Sequence, residues 1–310
     1  MFFVAGITGH IGGATAQALL ARGKTVRSLV RDPSKAKSWA ERGVDLQSGD
    51  LIDPDALSSA LEGVEAAFLM QPTPMGVTRD FPEAHALTVS LVAALRRTPP
   101  PRAVVLSSVG SEQASGLGNI TQTHILEKAL TDLSVPLAVL RPGALLENNV
   151  AGLAIASATG QFDSFLQPID QGFPMVATVD VGAEIARLLV EGWEGRKIIE
   201  VGSYVSPQEL AAGMGEALGR VVTARALPRD EWRSRLGKFG LKGEQIDNWE
   251  EMQDGFNSRW IDFGRPGTER TEGSTDPAAF FRQALEKQGL LGSTQQVVAE
   301  AATALKSVVG

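Results

Sequence analysis

The chain has 310 residues and 43% of them are hydrophobic, which is enough for one large α/β domain or for a domain with a smaller second lobe. Its formal net charge of −7 argues against nucleic acid or an anionic membrane surface as the main partner. The absence of cysteine excludes disulfides and thiolate chemistry, and the three scattered histidines form no ligand motif, so we expect no metal site.

The first element is an apolar strand, Phe2 to Ala5, that breaks into a glycine-rich turn and then a helix. Met1 leads directly into this strand, and no apolar run reaches membrane-spanning length, so a cytoplasmic protein is expected. The Gly-x-x-Gly-x-x-Gly turn can approach a pyrophosphate, with the N-terminus of the helix aimed at it. Its position between strand and helix favours a dinucleotide site over a purely structural turn. The cofactor contacts expected here are Gly6, Thr8, Gly9, His10, Ile11 and Gly12.

The end of the second strand indicates which dinucleotide binds. A helix is predicted over residues 11–22 and a strand over 25–30, followed by Arg31. NAD sites place a carboxylate at this point, whereas NADP sites place a cation for the 2′-phosphate. Arg31, with Lys35 one helical turn on, therefore favours NADP over NAD. In the alternative interpretation Arg31 is a solvated strand end; Asp32 is expected to cap the following helix.

Two further strands contribute loops to the same predicted edge. A strand over residues 44–47 leads to Asp50 and Leu51, which we expect beside the adenine, although Asp50 is equally suited to a turn. A strand over residues 66–70 leads to Gln71, in a loop expected under the nicotinamide ribose.

The alternation continues with a helix over residues 81–97 and strands over 103–106 and 137–140, with Ser107 expected at the cofactor. Strands alternating with helices predict an α/β fold with a doubly wound parallel sheet and a smaller α+β C-terminal lobe. The nucleotide domain is predicted to comprise residues 1–142 and 176–202, and the substrate-side lobe residues 143–175 and 203–310.

The second half of the chain predicts mixed structure. An apolar helix is expected over residues 145–158, a loop over 161–175, a seventh strand over 197–201 and an edge strand over 221–227. The remaining predictions are helices over residues 179–191, 206–218, 277–287 and 293–308 and a polar loop over 265–275.

An aromatic stripe lies within this lobe. Trp249, Met252, Phe256 and Trp260 recur at three or four residues, the spacing of one helical face. Such a stripe is more often core than a binding site. Part of it can still wall a flat aromatic pocket, so Phe256 and Trp260, together with Ser108, are the candidate substrate residues.

Several of these segments resemble the NmrA-like family, whose members are atypical extended relatives of the short-chain dehydrogenases/reductases. The resemblance rests on order and spacing over most of the chain. Its segments are Gly6-x-x-Gly9-x-x-Gly12, Arg31-Asp32-Pro33, Gly49-Asp50-Leu51, Ser107-Ser108-Val109-Gly110, Glu127 with Leu130, Leu140-Arg141-Pro142-Gly143, Glu147-Asn148, Val205-Ser206-Pro207 and Leu218-Gly219-Arg220.

The resemblance implies an NADP-binding Rossmann domain with a lobe closing over the nicotinamide end. It also implies either a reductase of quinones and related conjugated compounds or a redox-sensing regulator that binds the nucleotide without turnover. The wider superfamily uses a tyrosine and a lysine four residues later. Aligning Glu127 on the family pattern puts Asn119 and Thr123 at those two places, and the single tyrosine, Tyr204, lies far along the chain. The dyad is absent.

His124 and Lys128 are the candidate catalytic residues. They are four residues apart on a predicted helix and therefore share a face. A histidine near the nicotinamide can act as a general acid at neutral pH. In the alternative interpretation His124 is a partly exposed helix residue and Lys128 pairs with solvent or with Asp132.

The sequence favours an NADPH-dependent oxidoreductase acting on a quinone-like or other conjugated aromatic acceptor. Loss of the dyad keeps open a non-catalytic NADP(H) sensor that regulates a protein partner. An auxiliary NADP-using enzyme in aromatic or polyketide tailoring shares the same pattern. A homodimer or a regulatory protein partner is also left open.

Overall fold

The computed structural model describes residues 1–287, in which short apolar runs form some of the strands and mixed or polar segments form the others. The strands are β1 (Phe2–Val4), β2 (Val26–Val30), β3 (Asp45–Ser48), β4 (Ala66–Leu69), β5 (Ala103–Leu106), β6 (Leu137–Pro142), β7 (Ala144–Leu145), β8 (Gln161–Ser164), β9 (Phe173–Val176), β10 (Arg196–Val201), β11 (Ser203–Val205), β12 (Thr223–Ala226) and β13 (Glu269–Thr271).

Helices connect most of these strands. They are α1 (His10–Ala21), α2 (Lys37–Ala40), α3 (Pro54–Leu61), α4 (Pro82–Arg97), α5 (Thr121–Ala129), α6 (Gly152–Thr159), α7 (Thr178–Glu191), α8 (Pro207–Leu218), α9 (Trp232–Lys238), α10 (Glu244–Asn257) and α11 (Pro277–Lys287). Short 3-10 turns occupy Pro33–Ala36, Gly118–Ile120, Leu146–Asn149 and Arg229–Glu231.

The central sheet has eight parallel strands in the order β13-β10-β6-β5-β4-β1-β2-β3. The chain winds outward from β1 in one direction and from β4 in the other, so the topological switch point lies between these two strands. Ligands of such sheets bind in the crevice at the carboxyl ends of the strands near the switch point. The predicted doubly wound parallel sheet is confirmed.

Each face of the sheet packs on its own layer of helices. Phe2 and Val4 face a core shared with α1 and α7, whereas Phe3 faces a core shared with α3, α4 and α5. This division follows from the two-residue alternation of strand side chains. Helices α1 and α7 pack so closely that a Cβ atom at Gly182 would lie 2.5 Å from Cβ of Ala14.

The remaining described residues build a lobe with two further apolar cores. Two small sheets, β11-β9-β7 and β12-β8, belong to it. Phe165 packs edge-on against Trp249, with ring centroids 4.2 Å apart, and against Trp232, which is fully buried. The predicted aromatic stripe is therefore core at Trp249 and Phe256, while Trp260 follows the end of α10 and is 44% exposed.

Three predicted segments differ from the structure. The expected loop 161–175 contains strands β8 and β9, and the expected polar loop 265–275 contains β13, the outermost strand of the main sheet. The helix expected from residue 145 is instead a 3-10 turn at Leu146–Asn149 followed by α6. The predicted helix 293–308 lies outside the described residues. The predicted domain division stays a prediction, although β13 belongs to the nucleotide-side sheet.

Within residues 1–287, none of the helices combines the length and the apolar character that crossing a membrane requires.

Candidate functional site

The turn between β1 and α1 has the geometry of an anion cradle. Gly6 adopts a φ of +65°, and its carbonyl oxygen accepts a hydrogen bond from the N–H of Gly9 at 2.9 Å. A Cβ atom at Gly12 would lie 2.2 Å from that same oxygen, so α1 approaches the turn only because residue 12 has no side chain. Thr8 and His10 are exposed at the mouth of the turn, whereas Ile11 is buried beneath it.

The N-terminus of α1 has the features that favour an anion. Among the described residues no side chain caps it, and its first turn carries no acidic residue. The unpaired N–H groups and the positive end of the helix dipole therefore favour a negatively charged group at this point.

Arg31 directly follows β2 and is exposed, as is Lys35. Asp32 caps the next turn, because its Oδ1 accepts from the Ser34 N–H at 3.0 Å and from the Ser34 hydroxyl at 2.6 Å. These hydrogen bonds hold the pKa of Asp32 below its usual value. The carboxylate is thus engaged in the cap, while the cation beside it faces solvent.

Asp50 and Leu51 follow β3, as predicted, and are partly buried. Oδ1 of Asp50 accepts from the Ile52 N–H at 3.2 Å, and the Leu51 carbonyl accepts from the Ser90 hydroxyl at 2.7 Å. Asp50 therefore has the turn role that the sequence had left open. Contact with an adenine stays a prediction for both residues.

Gln71 and Ser107 lie at the carboxyl ends of β4 and β5, but their side chains are engaged inside the protein. Gln71 is 2% exposed, accepts from the Thr88 hydroxyl at 3.2 Å and donates to the Gln122 carbonyl. Ser107 is 4% exposed and its hydroxyl donates to Oε1 of Glu127. The polar groups of both side chains are thus engaged within the protein, and a cofactor contact from either residue stays a prediction.

His124 lies on α5 with its ring held by the loop after β5. Nδ1 is 2.8 Å from the carbonyl oxygen of Ser111. A carbonyl oxygen only accepts, so Nδ1 carries the proton of the neutral ring and Nε2 presents a lone pair. Lys128 lies one turn further along α5 and is exposed. The structure thus orients His124 and leaves Lys128 in solvent.

Asn119 and Thr123, at the places of the missing dyad, both face inward. Thr123 shares a hydrogen bond with the Ser111 hydroxyl at 2.7 Å and donates to the Ile120 carbonyl. Asn119 is 6% exposed, and neither polar atom of its amide has a partner among the described residues. An amide and an aliphatic hydroxyl do not ionise at neutral pH, so neither side chain can replace the dyad as a general acid or base.

The three candidate substrate residues are not equivalent. Ser108 is partly exposed, and its hydroxyl donates to the Val109 carbonyl at 3.2 Å. The Trp260 indole N–H donates to the Ser115 carbonyl at 2.8 Å, and the exposed ring lines an open depression with Gly116 and Ser258. Phe256 is only 4% exposed, packs in the lobe core and does not line this depression, and its contact with a substrate stays a prediction.

Sequence reasoning missed a buried ion network at the carboxyl ends of β5, β6 and β10. Arg141, 4% exposed, donates to both carboxylate oxygens of Glu127 at 2.8 and 2.6 Å and lies 3.1 Å from Glu112. Glu112 also accepts from Nε of Arg265 at 2.8 Å. Glu200, 1% exposed, accepts from the Gly264 N–H at 2.8 Å. The sequence signal for this network was the arginine within the otherwise apolar β6, because a buried charge requires a partner of opposite charge.

In the part of the chain that the structure describes, no three histidine or carboxylate side chains are grouped as metal ligands.

Comparison with known proteins finds relatives that match most of the chain. Quinone oxidoreductase 2 of Escherichia coli (strain K12) is 28% identical, over 78% of this chain and 82% of the relative. The NAD(P)H azoreductase of Xenophilus azovorans is 24% identical, over 81% of this chain and 86% of the relative.

Solved structures show the same fold. The NADPH-dependent quinone oxidoreductase of Escherichia coli complexed with NADPH has a TM-score of 0.72 and 23% identity, covering 98% of this chain and 99% of that one. The triphenylmethane reductase of Citrobacter sp. complexed with NADP(H) has a TM-score of 0.70 and 18% identity, covering 97% and 99%. The model of the NmrA-like family matches residues 2–262. The resemblance found in the sequence is thereby confirmed, and the chain belongs to the NmrA-like family.

Proposed function

We propose that the protein is an NADPH-dependent oxidoreductase that reduces a quinone-like or other conjugated aromatic acceptor. The relatives named as quinone oxidoreductase and azoreductase support this reaction class. When bound, NADPH supplies the hydride, so the protein has to hold the cofactor and acceptor, exclude water and manage one proton.

The glycine turn and Arg31 carry this proposal. The cradle at Gly6 and Gly12, which a Cβ atom would fill, fits a pyrophosphate against the N-terminus of α1. Arg31, exposed beyond β2, fits the 2′-phosphate of NADPH, and Lys35 adds a second positive charge. The remaining predicted contacts, Asp50, Leu51, Gln71 and Ser107, follow strands of the same sheet edge.

His124 is the proposed proton donor. Conversion of a quinone to a hydroquinone takes one hydride and one proton. With Nδ1 held by the Ser111 carbonyl, a protonated His124 has its second N–H at Nε2, and the proton leaves from there. Lys128, one turn on, adds positive charge on the same helix face. Ser108 and Trp260 are the proposed acceptor contacts, while Phe256 packs in the lobe core.

A regulatory sensor that binds NADPH without turnover is the second candidate. The inert pair Asn119 and Thr123 at the place of the dyad favours it. A tailoring enzyme acting on aromatic or polyketide compounds would share the site of the first candidate. A cytoplasmic location and a homodimer stay predictions, and a regulatory protein partner belongs to the sensor hypothesis.

The test is NADPH consumption by the purified protein with a panel of quinones, azo dyes and triphenylmethane dyes. NADH and the Arg31→Ala variant run in parallel. Loss of a charged hydrogen-bonding partner of a phosphate costs about 1.5–3 kcal/mol, so we expect KM for NADPH to rise about 10- to 100-fold in Arg31→Ala and KM for NADH to stay unchanged. Arg22→Ala is the matched control, because Arg22 is exposed at the opposite end of α1.

Turnover with NADPH that weakens in Arg31→Ala alone supports the reductase and the 2′-phosphate contact. Tight binding of NADPH without turnover of any acceptor supports the sensor instead.

A further inference from the structure

The loop after β5, residues 107–113, is held from several directions. The Ser107 hydroxyl donates to Glu127 of α5. Ser111 shares its hydroxyl with Thr123 at 2.7 Å and offers its carbonyl to His124. The Gln113 amide reaches the Trp260 carbonyl in the lobe at 3.5 Å. The loop is therefore a bridge between the carboxyl end of the sheet, helix α5 and the lobe.

Glu112, the residue next to Ser111, is a second point at which the lobe holds this loop. Its Oε1 accepts from Nε of Arg265 at 2.8 Å, and its Oε2 lies 3.1 Å from Arg141. The Arg141 contact is an ion pair without hydrogen-bond geometry, since Oε2 has no hydrogen-bond partner among the described residues. Arg265 thus makes the one directional contact to the Glu112 side chain that the structure describes.

Arg265 itself is fixed on the lobe side. Its second guanidinium nitrogen donates to the Trp260 carbonyl at 2.5 Å, and Glu200 of β10 accepts from the backbone N–H groups of Gly264 and Arg265. The planar guanidinium therefore spans from the turn at 260–265 to Glu112 with its direction set at both ends.

We propose that Arg265 is a positioning residue that acts through Glu112 and the Ser111 carbonyl to hold His124 in its Nδ1–H form, with Nε2 directed to the acceptor. This inference rests on the proposed function, in which His124 gives the proton. The lobe then does more than cover the acceptor: it keeps the ring of the proton donor in the orientation that the reaction uses. In this proposal Arg265 contacts neither the acceptor nor Nε2 of His124.

A direct observable is the tautomer of His124. The chain has three histidines, His10, His85 and His124, so a ¹⁵N-histidine spectrum is assignable with a single His124→Gln variant. In a spectrum recorded at about pH 8.5, the ¹⁵N signals of a neutral histidine ring show which nitrogen carries the proton. The wild type is expected to show Nδ1–H at His124.

Arg265→Gln is the test variant and Arg235→Gln its matched control. Arg235 also belongs to the lobe and donates to Asp163, a largely buried carboxylate that in the Arg235→Gln variant keeps a second arginine, Arg225. The side-chain exposures are similar, 30% for Arg265 and 24% for Arg235. Arg265→Lys keeps the positive charge but lacks the planar guanidinium group. Its kcat and its fraction of Nδ1–H tautomer at His124 are expected to lie between those of the wild type and of Arg265→Gln.

In Arg265→Gln we expect a mixture of His124 tautomers and a fall in kcat of about tenfold, a part of the 10²–10⁴ that general acid catalysis contributes. KM for NADPH is expected to change less than about twofold, because the orientation of the His124 ring serves proton donation and not cofactor binding. Arg235→Gln is expected to alter neither the tautomer nor kcat.

A wild type with Nε2–H at His124, or an Arg265→Gln variant with an unchanged tautomer, overturns the proposal. Equal effects of both arginine variants also overturn it, because they indicate general loosening of the lobe. Failure of the proposed function has a different signature. In that case the wild type reduces no acceptor of the panel, whereas the tautomer measurement still tests the role of Arg265.

Discussion

Arg141 is a charged side chain in a strand that is otherwise apolar, Leu137–Pro142, and every residue of that strand is buried. Its guanidinium contacts Glu127 through two hydrogen bonds and Glu112 through an ion pair. Such a group stabilises the fold mainly because its removal leaves the buried Glu127 carboxylate without a counter-charge.

We expect Arg141→Met to lower the free energy of unfolding by about 3–5 kcal/mol, the usual cost of breaking a buried pair from one side. The matched control is Arg282→Met, which removes the exposed pair of Arg282 with Glu216 and should cost about 0–1 kcal/mol. Urea unfolding followed by circular dichroism measures both. A loss at Arg141 no larger than the loss at Arg282 would show that the network carries little stability.

Tyr204 gives a second test at this scale, because it is the only tyrosine in the chain. Burial, and then the hydrogen bond of its hydroxyl to Oδ1 of Asp262 at 2.8 Å, raise the pKa of Tyr204 above its usual value of 10.0. The resulting stabilisation is present below pH 10.0 and is lost as the pH rises through the raised pKa.

Ultraviolet titration of the phenolate should therefore place the midpoint for the folded protein above 10.0, and Asp262→Asn should bring it closer to that value. Asp262→Asn keeps the size of the side chain and removes its charge. A midpoint that does not move in this variant would contradict the role assigned to Asp262.

Among the elements, the turn between β1 and α1 depends on close approach of backbone to backbone. A Cβ atom at Gly12 would lie 2.2 Å from the Gly6 oxygen and 2.6 Å from the Ala5 oxygen. Neither atom can move aside as a flexible side chain would, so α1 has to shift away from the turn.

Gly12→Ala is expected to lose NADPH binding by about tenfold or more and to destabilise the fold by about 1–3 kcal/mol, the usual range for overpacking. Gly237→Ala is the control, since a Cβ atom at Gly237 in α9 meets no atom within 4 Å. This variant should bind NADPH normally and be slightly stabilised by better helix propensity. Isothermal titration and urea unfolding measure both effects, and unchanged affinity in Gly12→Ala would argue against the cradle.

The elements that sequence patterns predicted well are those whose signals are local. Strands β1 to β6 and helices α1, α4, α7 and α8 are apolar or amphipathic runs bounded by glycine, proline or a capping residue. Strand β13 escaped prediction because Glu269, Arg270 and Thr271 carry no apolar pattern; they become a strand only by pairing with β10. Strand β8, Gln161–Ser164, mixes polar and apolar residues, and β9, Phe173–Val176, contains a proline, so neither carries a clear strand signal.

The features of the site also divide into those with local sequence signals and those that depend on distant residues. The glycine turn and Arg31 were predictable, because their role depends on neighbours within a few residues. The contact from Glu112 to Arg265 spans 153 positions, so it required the fold. Gln71 and Ser107 were placed correctly at strand ends, but the direction of their side chains into the interior depends on Thr88, Gln122 and Glu127 from other elements.

At the scale of the whole molecule, the loop after β4 connects the sheet to helix α10 of the lobe. The amide of Gln245 donates to the Gly76 carbonyl at 2.9 Å, and that of Asn248 to the Val77 carbonyl at 3.1 Å. The backbone N–H of Arg79 donates to Glu244 at 3.0 Å. These bonds cross from the nucleotide side to the lobe beside the predicted nicotinamide position.

Because of these connections we expect a single thermal unfolding transition that NADPH moves upward as a whole. A ligand at 100 times its Kd adds about 2.7 kcal/mol, which corresponds to a shift of a few degrees in a chain of this size. Differential scanning calorimetry with and without NADPH measures it, and at the same NADPH concentration Gly12→Ala should show a smaller shift than the wild type. Two separate transitions, of which NADPH moves only one, would show that the lobe is not coupled to the nucleotide side.

Strand β13 lies beyond residue 262, where the match to the family model ends, yet it closes one side of the main sheet. Ile199, Glu200 and Val201 of β10 pair with Glu269, Arg270 and Thr271. A shortened protein that stops at residue 262 would leave the outer N–H and C=O groups of β10 bare, and bare edges recruit strands from other chains. These three polar residues therefore cover the edge of β10 and protect the sheet from pairing with other chains. A shortened version of this protein that is to bind the nucleotide without aggregating should include them.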